Sequence, residues 1–414
     1  LLQNRKKFKI LSLKEVYIVD ATRTPIGRYG GALKDVRPDD MAAGVIKEIV
    51  KRNFDDKDLS KEIIEDVIIG CANQAGEDNR NIARMAVLLA GLPLSTAGVT
   101  VNRLCGSGMQ AVVDGVRTIA MNEGDIVIAG GTESMTRSPF VMPKTAEAFS
   151  RNAVIYDTTI GWRFTNPQLA KLYYPYSMGE TAENVALQYK IPRGRQDEFA
   201  YYSQMKAKNA ILAGKFKAEI TPVEIITKNE TLIFDTDEFP RLDTTLEKLR
   251  KLKPAFVKEN GTVTPGNSSG INDGACALLL ASGEKCRELG FKPRARYVAS
   301  AVEGVDPSMM GLGPIPATRK VLKRAGLKLE DIDLIELNEA FAAQSIACID
   351  ELGLDTEKVN VNGGAIALGH PLGMSGARII TTLLYEMEKR KLRYGLATMC
   401  IGVGQGIATV WEMV

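Results

Sequence analysis

The sequence predicts a layered α/β fold built from two copies of one unit. Three observations carry that prediction. Short apolar segments of strand length alternate along the chain with longer segments of helical period. The strand segments are mostly apolar, as in sheets covered on both faces. The order of elements occurs twice, and the wording repeats with it: IEDVIIGCANQ at 64–74 answers LEDIDLIELNEA at 329–340.

In the first unit, strands are expected at 15–20, 66–71, 100–104 and 125–130, with helices at 40–51 and 109–121. A fifth strand follows late, at 275–280. The second unit offers strands at 295–300, 333–337, 359–362, 395–400 and 406–411, with helices at 318–325, 340–352 and 375–391. The symmetry is broken by an insertion at 138–266, too long for a simple loop. Within it, 195–214 sets Phe199, Tyr202, Met205, Ala210 and Leu212 among Lys and Gln positions, an amphipathic helix of a subdomain that covers the site. Near its end, Lys248, Arg250, Lys251, Lys253 and Lys258 read as a solvated face interrupted by Glu247 and Glu259, or as a contact for a nucleotide phosphate. GGTES at 130–134 reads as a tight turn near a strand end that shapes the floor around Cys105. Two such units would pack across their helices, which makes chemistry at one shared interface possible.

Composition narrows the function. Fifty-three Lys and Arg face 50 Asp and Glu, a net charge of +3 that is too balanced for a dedicated polyanion binder. The 414 residues bury roughly three quarters of the extended chain's surface on folding, so disulfides are not needed. Six cysteines without a CxxC pair argue against a disulfide scaffold and a structural zinc site, and favour a reducing, cytoplasmic or organellar setting. No apolar run is long enough to span a membrane. Arg5, Lys6, Lys7, Lys9 and Lys14 begin the chain without an acid, read as a solvated start, with a targeting remnant or a membrane-touching tail as alternatives. GxGxxG after a strand, GxxxxGK[ST], HExxH and GxSxG are all missing, which removes several common enzyme classes.

Four residues remain that can carry chemistry together. Cys105, in NRLCGSGMQAV, stands where an extended segment meets a helix, whose unpaired amides favour a thiolate. Alone, it is as readily an inert core cysteine. The one histidine, His370, sits in NVNGGAIALGHPLGMSGAR, among glycines that allow close backbone approach. A lone histidine is more often structural than catalytic. Cys400, in MCIGVGQG, ends a strand at a glycine-rich mouth, and Asn338, in LNEAF, ends another. Together they offer a nucleophile, a base, hydrogen-bond donors for an oxyanion and a second proton carrier. A hydrolase needs no second thiol, whereas carbon–carbon bond cleavage or formation beside a thioester does. Cys71, Cys276, Cys286 and Cys348 lack such surroundings and read as packing residues.

Over residues 13–414 the chain resembles the thiolases, which condense or cleave acyl-CoA thioesters. NRLCGSG is similar to their nucleophile motif, NEAFA to their asparagine motif, GGAIALGHPLGMSGAR to their histidine motif and CIGVGQG to their second-cysteine motif. The resemblance implies duplicated five-stranded βαβαβαββ halves in α-β-α-β-α layers. They fall at 13–137 with 267–288 and at 289–414, with 138–266 as a coenzyme A binding loop domain. It implies that Cys105 is acylated, His370 activates it and Cys400 shuttles the α-proton. Asn338, through a bound water, and His370 would form one oxyanion hole, and the amides of Cys105 and Gly402 the other. It points to Ser269 at the pantetheine, Arg241 near the nucleotide, and Met178, Phe256, Met310 and Phe341 around the channel. Their alternative is core packing. Coenzyme A and acyl-CoA enter as substrates, with no tightly bound cofactor, metal or nucleic acid. A homodimer or homotetramer is implied, its contact including 74–80.

Two departures qualify the match. Ser177 stands before Met178 and Gly179 where short-chain biosynthetic members have histidine, and Val403 replaces a glycine of the second-cysteine motif. DTTIGWRF at 157–164 resembles degradative and 3-oxoadipyl-CoA-type members. Tyr156, Tyr173, Tyr174 and Tyr176 could approach the acyl site or serve the surface. The expected activity is cleavage of 3-oxoacyl-CoA by coenzyme A through an acyl-cysteine. The alternatives are acetyl-CoA condensation, a decarboxylating Cys-His-Asn synthase, and a non-catalytic acyl-CoA-binding protein.

Overall fold

The structure, a computed structural model, describes residues 13–228 and 230–414, so most of the basic start lies outside the described residues. Lys14 is described and pairs with Asp125 at 2.8 Å.

The first half holds β1 (Val16–Arg23), α1 (Pro38–Asn53), β2 (Asp66–Gly70), α2 (Ile82–Leu89), β3 (Val99–Val101), α3 (Ser107–Ala120), β4 (Ile126–Ser134) and, after the insertion, β5 (Asn272–Ser282). β4 and β5 are buried at every position: apolar and small residues fill most of each strand, and the polar ends Glu133, Asn272 and Asp273 are buried on hydrogen bonds. GGTES is thus not the tight turn expected. It is the end of β4, paired with β5 through Thr132↔Ala275 and Ser134↔Asp273.

The insertion carries α4 (Met178–Gln188) and α5 (Arg193–Leu212). Arg23 anchors it, its buried guanidinium binding Glu219 at 2.7 Å and Asp237 at 2.7 and 2.9 Å. The buried face of α5 matches the predicted one only in part: Ala210 is buried and Phe199 packs half-buried against the core. Tyr202 and Leu212 are exposed, whereas Gln196, Asp197, Ala200, Ser203, Gln204, Ala207 and Ala210 are buried. The α5 alanines pack into apolar clusters, and its buried polar residues are bonded: Ser203 Oγ donates to Glu339 at 2.6 Å and Gln204 Nε2 to the Ile366 carbonyl at 3.2 Å. Of the basic run, Lys248 pairs with Asp243 and Lys251 with Glu247, and Arg250, Lys253 and Lys258 are exposed.

The second half holds β6 (Ala295–Gly304), α6 (Pro314–Ala325), β7 (Leu334–Leu337), α7 (Ala342–Leu352), α8 (Leu372–Arg390), β8 (Tyr394–Ile401) and β9 (Gln405–Met413). Strand order runs β7-β8-β9-β6-β1-β5-β4-β2-β3. Within each half the first strand pairs antiparallel with the last, the last antiparallel with the one before it, and that one parallel with the second. The expected strand at 359–362 is reduced to one parallel bridge, Ile335↔Val359. Asn360 turns there with φ 45°, and its side chain stands in for the missing ladder: Oδ1 accepts from Leu337 N at 2.9 Å and Nδ2 donates to Leu337 O at 2.8 Å.

The two half-sheets touch at their first strands, Tyr17↔Arg296 and Ile18↔Ala295. Between them lie α3 and α8, which share one buried cluster with both sheets. α1 and α2 cover the outer face of the first sheet, and α6 and α7 that of the second, giving five layers. Glycines let the central helices meet at their first turns. A Cβ on Gly376 would lie 2.3 Å from Met109 N, and one on Gly108 would lie 2.6 Å from Gly373 O. Cys105 and His370, just ahead of these two helices, are therefore carried to the same end of the central layer.

Candidate active site

Cys105 enters α3 through a strained turn. Leu104 has φ 48°, a costly value for a branched side chain, and is held by its N–H donating to Asn102 Oδ1 at 2.9 Å and its carbonyl accepting from Ser107 Oγ at 2.6 Å. Arg103 ties this turn to the second half, donating to Gln110 Oε1 at 2.8 Å and to Gln405 Oε1 at 3.0 Å. The Gly402 N–H and the residue's own N–H both point at the Cys105 sulfur. The expected thiolate, held by the amides of the following helix, is not what forms: the amides that act on the sulfur are those of Gly402 and Cys105 itself, and burial outweighs them and pushes the thiol up to about 11. One flank of Cys105 still opens on a cavity, while protein atoms crowd the sulfur elsewhere. The free residue is a neutral thiol.

His370 is buried. Its Nδ1 lies 2.6 Å from Ser375 Oγ, and that hydroxyl gives its one proton to the Pro371 carbonyl at 2.8 Å. The network therefore assigns the proton to Nδ1 and leaves a lone pair on Nε2. Burial first, then the charge of Arg378, lower the imidazole to about 3. The His370 N–H donates to Asn272 Oδ1 at 3.0 Å, fixing the turn. Nε2 faces Asn338 Nδ2 at 3.5 Å, while Asn338 Oδ1 is buried and has no partner among the described residues.

Cys400 ends β8 in an apolar cluster with Met178, Met310, Ala340 and Phe341. Burial, then the Cys105 and Cys348 sulfurs, raise its thiol well above the ordinary value, so the two candidate sulfurs feel each other and both are protonated at neutral pH. Gly402 sits between the two halves: a Cβ there would lie 3.3 Å from Leu104 Cδ1 and 3.5 Å from Met178 Sδ. Val403 holds φ 62°, a strained value for a β-branched residue, and is 40% exposed at the cavity wall.

The cavity, of about 360 Å³, is lined by Cys105, Met178, Gly402, Val403, Glu133 and a stretch from Thr158 to Arg163. His370, Asn338 and Cys400 stand outside this lining. So does Ser269, expected at the pantetheine; its N–H donates to Ala340 O at 2.9 Å, which holds it against the asparagine turn.

Phe341 and Phe256 meet edge to face at 6.3 Å, and Phe256 covers Gly179, so these two, Met178 and Met310 form one apolar wall beside Cys400. Arg241 is not brought to that wall. It lies with Phe239 and Lys248 around a separate hollow of about 110 Å³, its N–H donating to Gln204 Oε1 at 2.9 Å. Ser177 caps α4 in a reciprocal box with Glu180, a structural use for the residue that replaces histidine. None of Tyr156, Tyr173, Tyr174 and Tyr176 lines the cavity, although the Tyr176 carbonyl accepts from Trp162 Nε1 at 2.9 Å.

Sequence reasoning missed Glu133, Ser375, Asn272 and Arg163. Glu133 is buried and accepts from the N–H groups of Ala72, Asn73 and Gly373 at 2.9, 3.2 and 2.8 Å, and burial raises its carboxyl to about 7. With Cys71 and Asp78 it forms a cluster of metal-ligand type, but Asp78 is likewise committed, to Gln74 N at 3.1 Å and Gly76 N at 2.9 Å. The cluster shapes the loop beside Cys105. An acid at a strand end in GGTES and a serine five residues after the lone histidine were the available signals.

The thiolase N-terminal domain model matches residues 16–284 and the thiolase C-terminal domain model residues 291–413. The 3-oxoadipyl-CoA/3-oxo-5,6-dehydrosuberyl-CoA thiolase of Escherichia coli (strain K12) is 56% identical over 405 residues, 97% of this chain and 100% of that protein. A beta-ketoadipyl-CoA thiolase of Pseudomonas aeruginosa is 55% identical over 403 residues, again 97% of this chain and 100% of that protein. The crystal structure of the Bacillus anthracis acetyl-CoA acetyltransferase superposes with a TM-score of 0.91 at 43% identity, covering 98% of this chain and 100% of that one.

Proposed function

The chain belongs to the thiolase family, and on that premise we propose that it cleaves 3-oxoacyl-CoA of the 3-oxoadipyl type through an acyl group carried on Cys105. It is an acyltransferase whose substrates are acyl-CoA and coenzyme A. The observation that carries the residue assignment is that Cys105 and Gly402 line one cavity with Met178, which packs in turn against the cluster that holds the second thiol, Cys400.

His370 Nε2 takes the Cys105 proton as sulfur attacks the 3-keto carbon. A water on the orphaned Asn338 Oδ1 and the newly protonated Nε2 then hold the thioester oxygen. The bond between the second and third acyl carbons breaks, and its electrons leave as the acetyl-CoA enolate. Cys400 protonates that enolate, which suits a thiol kept neutral by burial. The Cys400 thiolate then deprotonates incoming coenzyme A, whose sulfur attacks the acyl carbon while the N–H groups of Cys105 and Gly402 hold the oxyanion; the bond to Cys105 breaks, and its thiolate takes back the proton held on His370 Nε2. No tightly bound cofactor enters these steps.

The same reading includes a homodimer or homotetramer. It is supported by β3, which ends the sheet with Val99 exposed, beside exposed Leu88 and Leu89. Six free cysteines suit a reducing compartment such as the cytoplasm. Among the described residues no helix is long and apolar enough to cross a membrane. Steady-state thiolysis of a 3-oxoacyl-CoA panel tests the proposal: 3-oxoadipyl-CoA is expected to lead, and activity confined to acetoacetyl-CoA would replace it with the biosynthetic alternative.

A further inference from the structure

We propose that Arg163 is the specificity residue that receives the far carboxylate of a dicarboxylic acyl chain, an inference that rests on the acyl-cysteine reading of the Cys105 cavity. Arg163 lines that cavity together with Cys105 and is the one basic residue in its lining among the described residues. It is half-buried, and no carboxylate pairs with it among the described residues. Its recorded bonds are long ones from Nη2 to the carbonyl and Oδ1 of Asn73, at 3.3 and 3.4 Å.

The scaffold around it is fixed. Asn73 Nδ2 donates to Ser138 Oγ at 2.6 Å and to Thr158 Oγ1 at 3.2 Å, and Trp162 Nε1 to Tyr176 O at 2.9 Å. Glu133, the acid in the same lining, spends its oxygens on three backbone N–H groups and does not claim the guanidinium. A cation in the wall of the cavity that a reactive thiol also lines, with most of its donors unused, suits a carboxylate through the paired geometry of a guanidinium. Attack of Cys105 on 3-oxoadipyl-CoA leaves a succinyl group on sulfur, whose free carboxylate lies two methylenes from the thioester.

The test compares kcat/KM for thiolysis of 3-oxoadipyl-CoA and the equally long, neutral 3-oxohexanoyl-CoA in the wild type, R163Q and R163K. The wild type is expected to prefer the dicarboxylic chain by about 100-fold, R163Q to lose most of that ratio, and R163K to keep part of it, since lysine retains charge without the fork. A wild type without preference overturns the inference, as does an R163Q enzyme in which both values fall together. Wild-type protein inactive on both chains would instead remove the thiolase reading, and this inference with it. Should R163Q not fold, the wild-type ratio and R163K decide.

Discussion

In the free protein neither partner of the reaction carries charge: Cys105 is a thiol pushed up to about 11 and His370 an imidazole lowered to about 3. The signs follow from burial, which disfavours thiolate and imidazolium alike. Alkylation of Cys105 by iodoacetamide should therefore rise about ten-fold per pH unit between pH 7 and 9, and a plateau by pH 8 would contradict the assignment. Because the folded His370 value lies below the unfolded one, the unfolded chain binds the extra proton first, and this residue's contribution to stability falls as pH drops below about 6.5. At Cys400 the expectation is kinetic. C400A should still be acylated, while solvent exchange of the acetyl-CoA α-protons drops about 1000-fold, measured by mass spectrometry in heavy water; undiminished exchange would remove Cys400 from proton transfer.

At the scale of elements, the central helices and the apolar stretches of β4 and β5 were legible because their periods and runs are clear, whereas the polar ends of both strands were not. The catalytic candidates were legible for a different reason: each lies in a short local motif. What escaped depends on contacts between distant segments. Asn360 replaces a strand with its own side chain, α5 buries Ser203 and Gln204 because they bond Glu339 and the Ile366 carbonyl, and Glu133 serves three amides, two from the loop after β2 and one from the first turn of α8. E133A leaves those amides unpaired and should cost about 3 kcal/mol of stability, read from urea unfolding; a loss under about 0.5 kcal/mol would mean water replaces the carboxylate freely.

Across the whole molecule, two half-sheets and the helices between them bring one end of α3 to one end of α8, so that residues far apart in sequence share one site. Gly376 is the narrowest point of that contact. G376V should push the helices apart and lower both melting temperature and kcat/KM, whereas a variant with wild-type activity would show that the close approach is dispensable. The central claim, that Cys105 rather than Cys400 carries the acyl group, is tested most directly by peptide mass spectrometry after incubation with 3-oxoadipyl-CoA and acid quench. The acyl mass is expected on the peptide containing Cys105, in wild type and C400A, and nowhere in C105A. Acyl mass on the Cys400 peptide, or its persistence in C105A, would contradict the account.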